Sequence, residues 1–206
     1  MKPTRNEKTL MNKILIVYAT NAGSTFKVAE AVAAELVKKA EVEILPLEKV
    51  TTLEGYSAVV LGAPMILGWH RGALAFLKQH QAALSRLPLA IFVTCMNLTQ
   101  TGETSVSGIP VFVDEKLPRP PQNPSRLSLK ERYATVSNYL TPLLKAAPAV
   151  KPVSIGLFGG SLQYFNLQWW AALFALLIIQ AQPGDRRNWS AIGTWAGGLF
   201  QNLFGN

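Results

Sequence analysis

The sequence predicts an α/β chain built on a doubly wound parallel sheet of five strands. Three observations predict it. Lys13–Ala19 (KILIVYA) is a near-continuous apolar run rich in β-branched residues, as in a strand covered on both faces. Strand-like runs then alternate with helix-like runs. Clusters of Gly, Pro, Asn and Ser punctuate them.

After the first strand, Thr20–Thr25 reads as a turn and Ser24 to about Lys39 as a helix. Val28, Val32 and Leu36 share one of its faces, and Glu35 can pair with Lys39 one turn on. Val42–Leu45 is a short second strand. Tyr56–Leu61 is the third, ended by Gly62-Ala63-Pro64. Arg71–Leu84 is a helix with Leu74, Leu77 and Leu84 inward, and Leu89–Met96 is the fourth strand. Asn97–Ser125 holds Pro118, Pro120, Pro121 and Pro124 and reads as a long loop. Leu127–Lys145 is a helix expected to bend or end near Pro142. Val153–Phe158 is the fifth strand. Two helices follow, Phe165–Gln182 and Trp189–Leu203, the second with Asn188 as its N-cap. Residues 1–11 read as a loose, basic leader and 12–206 as a single domain, with Met11 an alternative start.

Of the 206 residues, 49% are hydrophobic and 16% charged, which suits a packed core and excludes a disordered chain. The single cysteine, Cys95, excludes an internal disulfide and fits a cytoplasmic setting. The net charge is +8, and Gly55–Gly102 holds no acidic residue beside Arg71, Lys78 and Arg86. No Lys/Arg cluster or stacking motif supports nucleic-acid binding. Acidic lipid or an anionic substrate suits the charge better.

The most informative segment is Thr20-Asn21-Ala22-Gly23-Ser24-Thr25, between the first strand and the first helix. Small hydroxyl residues and a glycine let backbone N–H groups and hydroxyls converge on a phosphate, and the helix N-terminus adds partial positive charge. G-x-G-x-x-G is absent, and so is a Walker Gly-Lys-Ser/Thr. A loop without lysine suits one phosphomonoester held by neutral donors. The plain alternative is an ordinary turn with Ser24 as a cap.

The run VYATNAGSTFKVAEAVAAEL resembles the first strand, FMN-phosphate loop and first helix of flavodoxin-like proteins. Their loop usually reads Thr/Ser-x-Thr/Ser-Gly-x-Thr. Thr20, Gly23 and Thr25 match it, and Ala22 departs from it by one hydroxyl. The resemblance implies a three-layer sandwich with strand order 2-1-3-4-5 and FMN beyond the ends of the first, third and fourth strands. On that basis the third-strand loop, with Ala63, Pro64, Met65, Ile66, Gly68 and Trp69, supplies one flavin wall, and Trp69 is the candidate stacking partner. Core packing is the alternative for Trp69. The fourth-strand segment, with Cys95, Met96, Asn97 and Leu98, offers backbone and an amide to the ring edge. Cys95 itself reads as a buried strand residue. His70 reads as a proton shuttle or as a helix cap.

Several stretches resemble more narrowly the flavodoxin-domain family that includes menaquinone-dependent protoporphyrinogen dehydrogenase. They are Gly62–Gly68, FLKQHQAALSRLPLAIFVTCMNL, Phe158–Tyr164 and the tail Gly184-Asp185-Arg186-Arg187-Asn188-Trp189. The third-strand loop departs from that enzyme, with Ile66-Leu67 in place of Arg-Tyr. The resemblance implies an FMN-dependent oxidoreductase whose partner is a quinone or a porphyrinogen-like small molecule. A flavodoxin carrying electrons between proteins, and a flavin-free binding module, stay open beside it.

Pro152–Gly184 carries no charge, and Trp169–Ile179 is wholly apolar. Eleven apolar residues fall short of the ~20 that span a bilayer. Phe165–Gln182 is therefore either a core or homo-oligomer helix, or a helix lying on the inner face of the cell membrane. The absence of carboxylates from Gly55–Gly102 is expected to favour the anionic reduced flavin, raising its potential.

Overall fold

The computed structural model describes residues 12–65, 68–162 and 184–205. The leader 1–11, Ile66 and Leu67, and the apolar stretch 165–182 lie outside the described residues.

One sheet organises the chain. Strands β1 (Lys13–Tyr18), β2 (Glu41–Pro46), β3 (Ala58–Met65) and β4 (Leu89–Cys95) are mutually parallel, and β9 (Ser154–Gly159) joins β4 in the same sense. Their order, β2-β1-β3-β4-β9, follows the expected 2-1-3-4-5, but the sheet continues past β9 and has seven strands rather than the five expected. In β1, Ile14, Leu15, Ile16 and Val17 are all fully buried. Alternate residues face opposite layers. Ile14 and Ile16 join a core with Val28, Val32 and Trp195. Leu15 and Val17 join a second core with Leu77 and Leu140. Helices α1 (Ser24–Leu36) and α6 (Trp189–Phe204) cover the first face. Helices α2 (Arg71–Gln79), α3 (Gln81–Leu84) and α5 (Val136–Ala146) cover the second. Each β1 side chain so enclosed contributes about 1.5–3 kcal/mol.

The segment expected as a plain loop extends the sheet instead. Strand β7 (Ile109–Val113) runs parallel to β9, and β6 (Ser105–Val106) pairs antiparallel with β7. Val106 faces Ile109, leaving a two-residue turn in which Ser107 and Gly108 have φ of 52° and 78°. Paired positive φ values make the hairpin turn that matches strand twist. The short strands β5 (Leu98–Thr99) and β8 (Pro118–Arg119) pair beside it. Two more, β10 (Ser161–Leu162) and β11 (Gly184–Asp185), pair antiparallel.

Other boundaries also move. The helix expected over residues 71–84 breaks at His80. The helix expected over 127–145 is two helices, α4 (Leu129–Tyr133) and α5. Ser128 and Glu131 form a capping box on α4, and the Thr135 hydroxyl accepts the Asn138 N–H at the start of α5. These caps put the break upstream of Pro142, which lies inside α5. Helix α1 stops at Leu36, so Glu35 pairs with Lys38 rather than Lys39. Asn188 occupies the N-cap position of α6, but its amide is donated to the buried Asp114 carboxylate at 2.8 Å instead of capping the helix.

Candidate functional site

The turn after β1 lies at the carboxyl end of the sheet, where open α/β sheets bind ligands. Ala19 donates its N–H to the Gly62 carbonyl at 2.9 Å, holding the chain beside β3 up to the turn. The Thr20 hydroxyl oxygen is then buried without any hydrogen-bond partner. Asn21 is exposed and Ala22 half-buried. Gly23 precedes α1 with φ of +80°, and nothing lies within 4 Å of the place its Cβ would occupy. A side chain there would be strained and would project into open space over the turn. No side chain caps α1, so its first N–H groups keep their partial positive charge.

The remaining hydroxyls have protein partners. The Thr25 and Thr94 hydroxyls share a buried hydrogen bond of 2.9 Å, which ties the start of α1 to β4. The Ser24 hydroxyl accepts the Ser161 N–H at 2.9 Å. A hydroxyl that accepts still has its own O–H to donate. Three donor types therefore meet here: the Thr20 hydroxyl, the Ser24 hydroxyl and the α1 N–H groups. The orphaned Thr20 oxygen and the open space over Gly23 fit a phosphate.

The third-strand wall differs from its expected form. Strand β3 continues through Ala63, Pro64 and Met65, which pair with Val93, Thr94 and Cys95. Pro64 costs no ladder bond. The Gly62 carbonyl faces β1, so Pro64, two residues on, faces the same side, where β1 has already ended at Tyr18. Met65 then bridges Trp69, and Gly68 just before Trp69 has a φ of 118°. Trp69 is 7% exposed and donates its indole N–H to the Tyr139 carbonyl. Its ring packs in the core shared with α5, so the stacking face expected of it is covered. The His70 ring has a buried Nδ1 without a partner, and its carbonyl accepts the Ala73 and Leu74 N–H groups at the start of α2.

The fourth-strand wall is held by residues distant in sequence. Cys95 is buried in β4, and burial, helped by the Asp114 charge, pushes its thiol up to about 12. Its carbonyl accepts the Gly160 N–H at 2.9 Å. The Arg186 guanidinium donates to the Met96 carbonyl and, at 3.0 Å, to the Asn97 side-chain oxygen. The Tyr139 hydroxyl donates to the Asn97 carbonyl at 2.9 Å. Asn97 is exposed but its side-chain oxygen is engaged, and Leu98 is buried at the start of β5. Burial and the Arg119 charge hold Arg186 below its ordinary value. Ser24, Met96 and Asn97 are thus gathered around the pairing of β10 with β11.

Arg186, Ser161 and Tyr139 were not legible as site residues. For Arg186 a signal existed: the charged cluster Asp185-Arg186-Arg187 follows an uncharged run of over thirty residues. Among the described residues no group of three or more His, Cys, Asp or Glu could hold a metal ion. Among them, too, no helix is long and apolar enough to cross a membrane.

A family model described as "Flavodoxin domain" matches residues 15–187. No curated protein matches the chain. Among solved structures, a flavodoxin mutant of Fusobacterium nucleatum bound to flavin mononucleotide is 20% identical, with a TM-score of 0.30. That match covers 41% of this chain and 52% of the flavodoxin, about half its length. Two-electron reduced flavodoxin of Megasphaera elsdenii is 12% identical, over 70% of this chain and 84% of that one, with a TM-score of 0.44. An oxidoreductase from Corynebacterium diphtheriae is 16% identical, over 96% of this chain and all of its own, with a TM-score of 0.45.

Proposed function

Because the chain belongs to the flavodoxin-domain family, we propose that residues 20–25 seat the phosphate of FMN and that the protein is an FMN-dependent oxidoreductase. The observation that carries the reading is the buried, partnerless Thr20 hydroxyl beside an uncapped α1 N-terminus. A buried polar atom without a partner is costly, and a phosphate oxygen would relieve it. Thr20, Ser24 and the first N–H groups of α1 would hold the phosphate. The segment 95–98 would border the ring, and Arg186 fixes its carbonyl and amide positions.

FMN, when bound, supplies hydride acceptance and electron release. The chain's own contribution is charge. Residues 55–102 hold no carboxylate, and Arg186 stands against the segment that ends β4. Each nearby positive charge favours an anionic reduced cofactor by about 1 kcal/mol at surface dielectric. That supports a raised potential and two-electron chemistry. It suits an enzyme oxidising an organic substrate, a porphyrinogen-like molecule in this reading, and passing electrons to a quinone. The stretch 165–182 would meet the lipid that holds the quinone, at the inner face of the membrane.

The test is anaerobic turnover of FMN-loaded protein with protoporphyrinogen and menadione, followed by porphyrin fluorescence, beside a potentiometric titration. Fluorescence above the no-enzyme rate and one two-electron step support the enzyme. No turnover, with two widely separated one-electron steps, would make the protein a carrier that docks protein partners.

A further inference from the structure

Beside the Met96–Asn97 segment lies a cavity of about 490 Å³ that the FMN reading leaves unused. Lys116 and Arg119 line it from the segment between β7 and β8 and from β8 itself, Asp185, Arg186 and Arg187 from β11 and its exit, and Trp189 from the start of α6. Its charge is unbalanced. Asp185, the one carboxylate on its wall, is paired with Arg187. Among the described residues no carboxylate forms an ion pair with Lys116, Arg119 or Arg186. Arg119 and Arg186 line the same cavity, and burial together with the Arg119 charge holds Arg186 below its ordinary value. Like charges brought together without a counter-charge destabilise the fold that holds them, and an anionic ligand would remove that penalty.

The wall also has an apolar part. Trp189 is 48% exposed, and the Arg187 guanidinium lies 4.8 Å from its ring centroid. Leu117 is buried beneath. A cavity of this size exceeds an inorganic ion and falls in the range of small-molecule sites. Arg186 reaches from this cavity to the Met96 carbonyl and the Asn97 amide. One residue therefore connects the cavity to the segment proposed to border the flavin.

We propose that this cavity binds an organic anion, an apolar body carrying two or more carboxylates, held by Lys116, Arg119 and Arg186 with its body against Trp189. That such a molecule is the redox substrate rests on the FMN reading. The anion site itself does not.

Calorimetric titration of the full-length protein with benzene-1,3,5-tricarboxylate tests it, with the neutral benzene-1,3,5-trimethanol and inorganic phosphate as comparisons. The variants Lys116→Gln and Arg119→Gln remove exposed charges outside the flavin segments. The expected result is saturable binding of the tricarboxylate, weakened by salt. Each variant should weaken it about tenfold, the order of one charge-assisted hydrogen bond. The triol should not bind. The proposal is overturned if the tricarboxylate does not bind, if phosphate binds as tightly, or if both variants bind as wild type does. FMN uptake by absorbance in the same samples separates the two readings. FMN uptake without tricarboxylate binding sinks the anion site alone, and tricarboxylate binding without FMN uptake sinks the flavin reading and leaves the anion site standing.

Discussion

Ser24 and Ser161 are 137 positions apart, yet the Ser24 hydroxyl accepts the Ser161 backbone N–H at 2.9 Å. The contact fastens the turn after β1 to the strand that follows β9. Ser24→Ala leaves that N–H without an acceptor and should cost roughly 1 kcal/mol in urea unfolding. It also removes a phosphate donor, so the FMN Kd should rise about tenfold. Ser24→Thr keeps a hydroxyl and should restore most of both. Unchanged stability and affinity in the alanine variant would remove Ser24 from the site.

The buried Thr25–Thr94 pair makes a different prediction. Either single valine substitution orphans the partner hydroxyl and should cost about 1–3 kcal/mol. The double substitution removes both polar groups together and should lie close to wild type. Equilibrium unfolding of the four proteins gives the coupling. Additive losses would show that the bond itself contributes little.

Glu103 reaches the N-terminal end of α5. Burial alone would raise its carboxyl, but hydrogen bonds from the Ser137 and Thr101 hydroxyls, then from the Ser137 and Val136 N–H groups, hold it below its ordinary value of 4.5. A depressed folded-state value means stability that is full above the unfolded value and lost as pH falls through the folded one. Wild type should therefore lose stability below about pH 4.5 more steeply than Glu103→Gln. Parallel denaturation curves from pH 7 to 3 check this, and equal slopes would contradict it.

Cys95 is 1% exposed with its thiol pushed up to about 12. The thiolate is the reactive form, so it is almost absent at neutral pH. Native protein should leave a disulfide reagent such as 5,5′-dithiobis(2-nitrobenzoate) unreacted at pH 8, and denatured protein should release one equivalent. Prompt reaction in the native state would show β4 opening at its end.

How far the sequence could be read depends on the range of the forces involved. Residues 13–18 announced a covered strand because both core layers draw on neighbouring side chains, and the alternation of Ile14 and Leu15 between them is local. The turn 20–25 was equally local. The hairpin at Ser107-Gly108 was there to be read, since an S-G pair stands between strand-like residues, but the nearby prolines outweighed it. Trp69 could not be placed by type. A ring beside a loop packs inward or stacks on a ligand depending on its partner, here the Tyr139 carbonyl seventy positions on. The same holds for Asn188, a good cap by composition whose amide is taken by Asp114. Arg186 reaches back ninety positions to Met96, a contact set by sheet topology rather than by any nearby residue.

Flavin affinity, with and without the phosphate, reads the grip at Thr20 without intermediate steps. Fluorescence titration of the purified protein with FMN and then with riboflavin should show FMN binding at least ~100-fold tighter, since two or more charge-assisted hydrogen bonds go to the phosphate. Thr20→Val should narrow that gap by about tenfold, because it removes one donor while keeping the shape. Equal affinity for the two flavins, or no binding of either, would contradict a phosphate seat between β1 and α1.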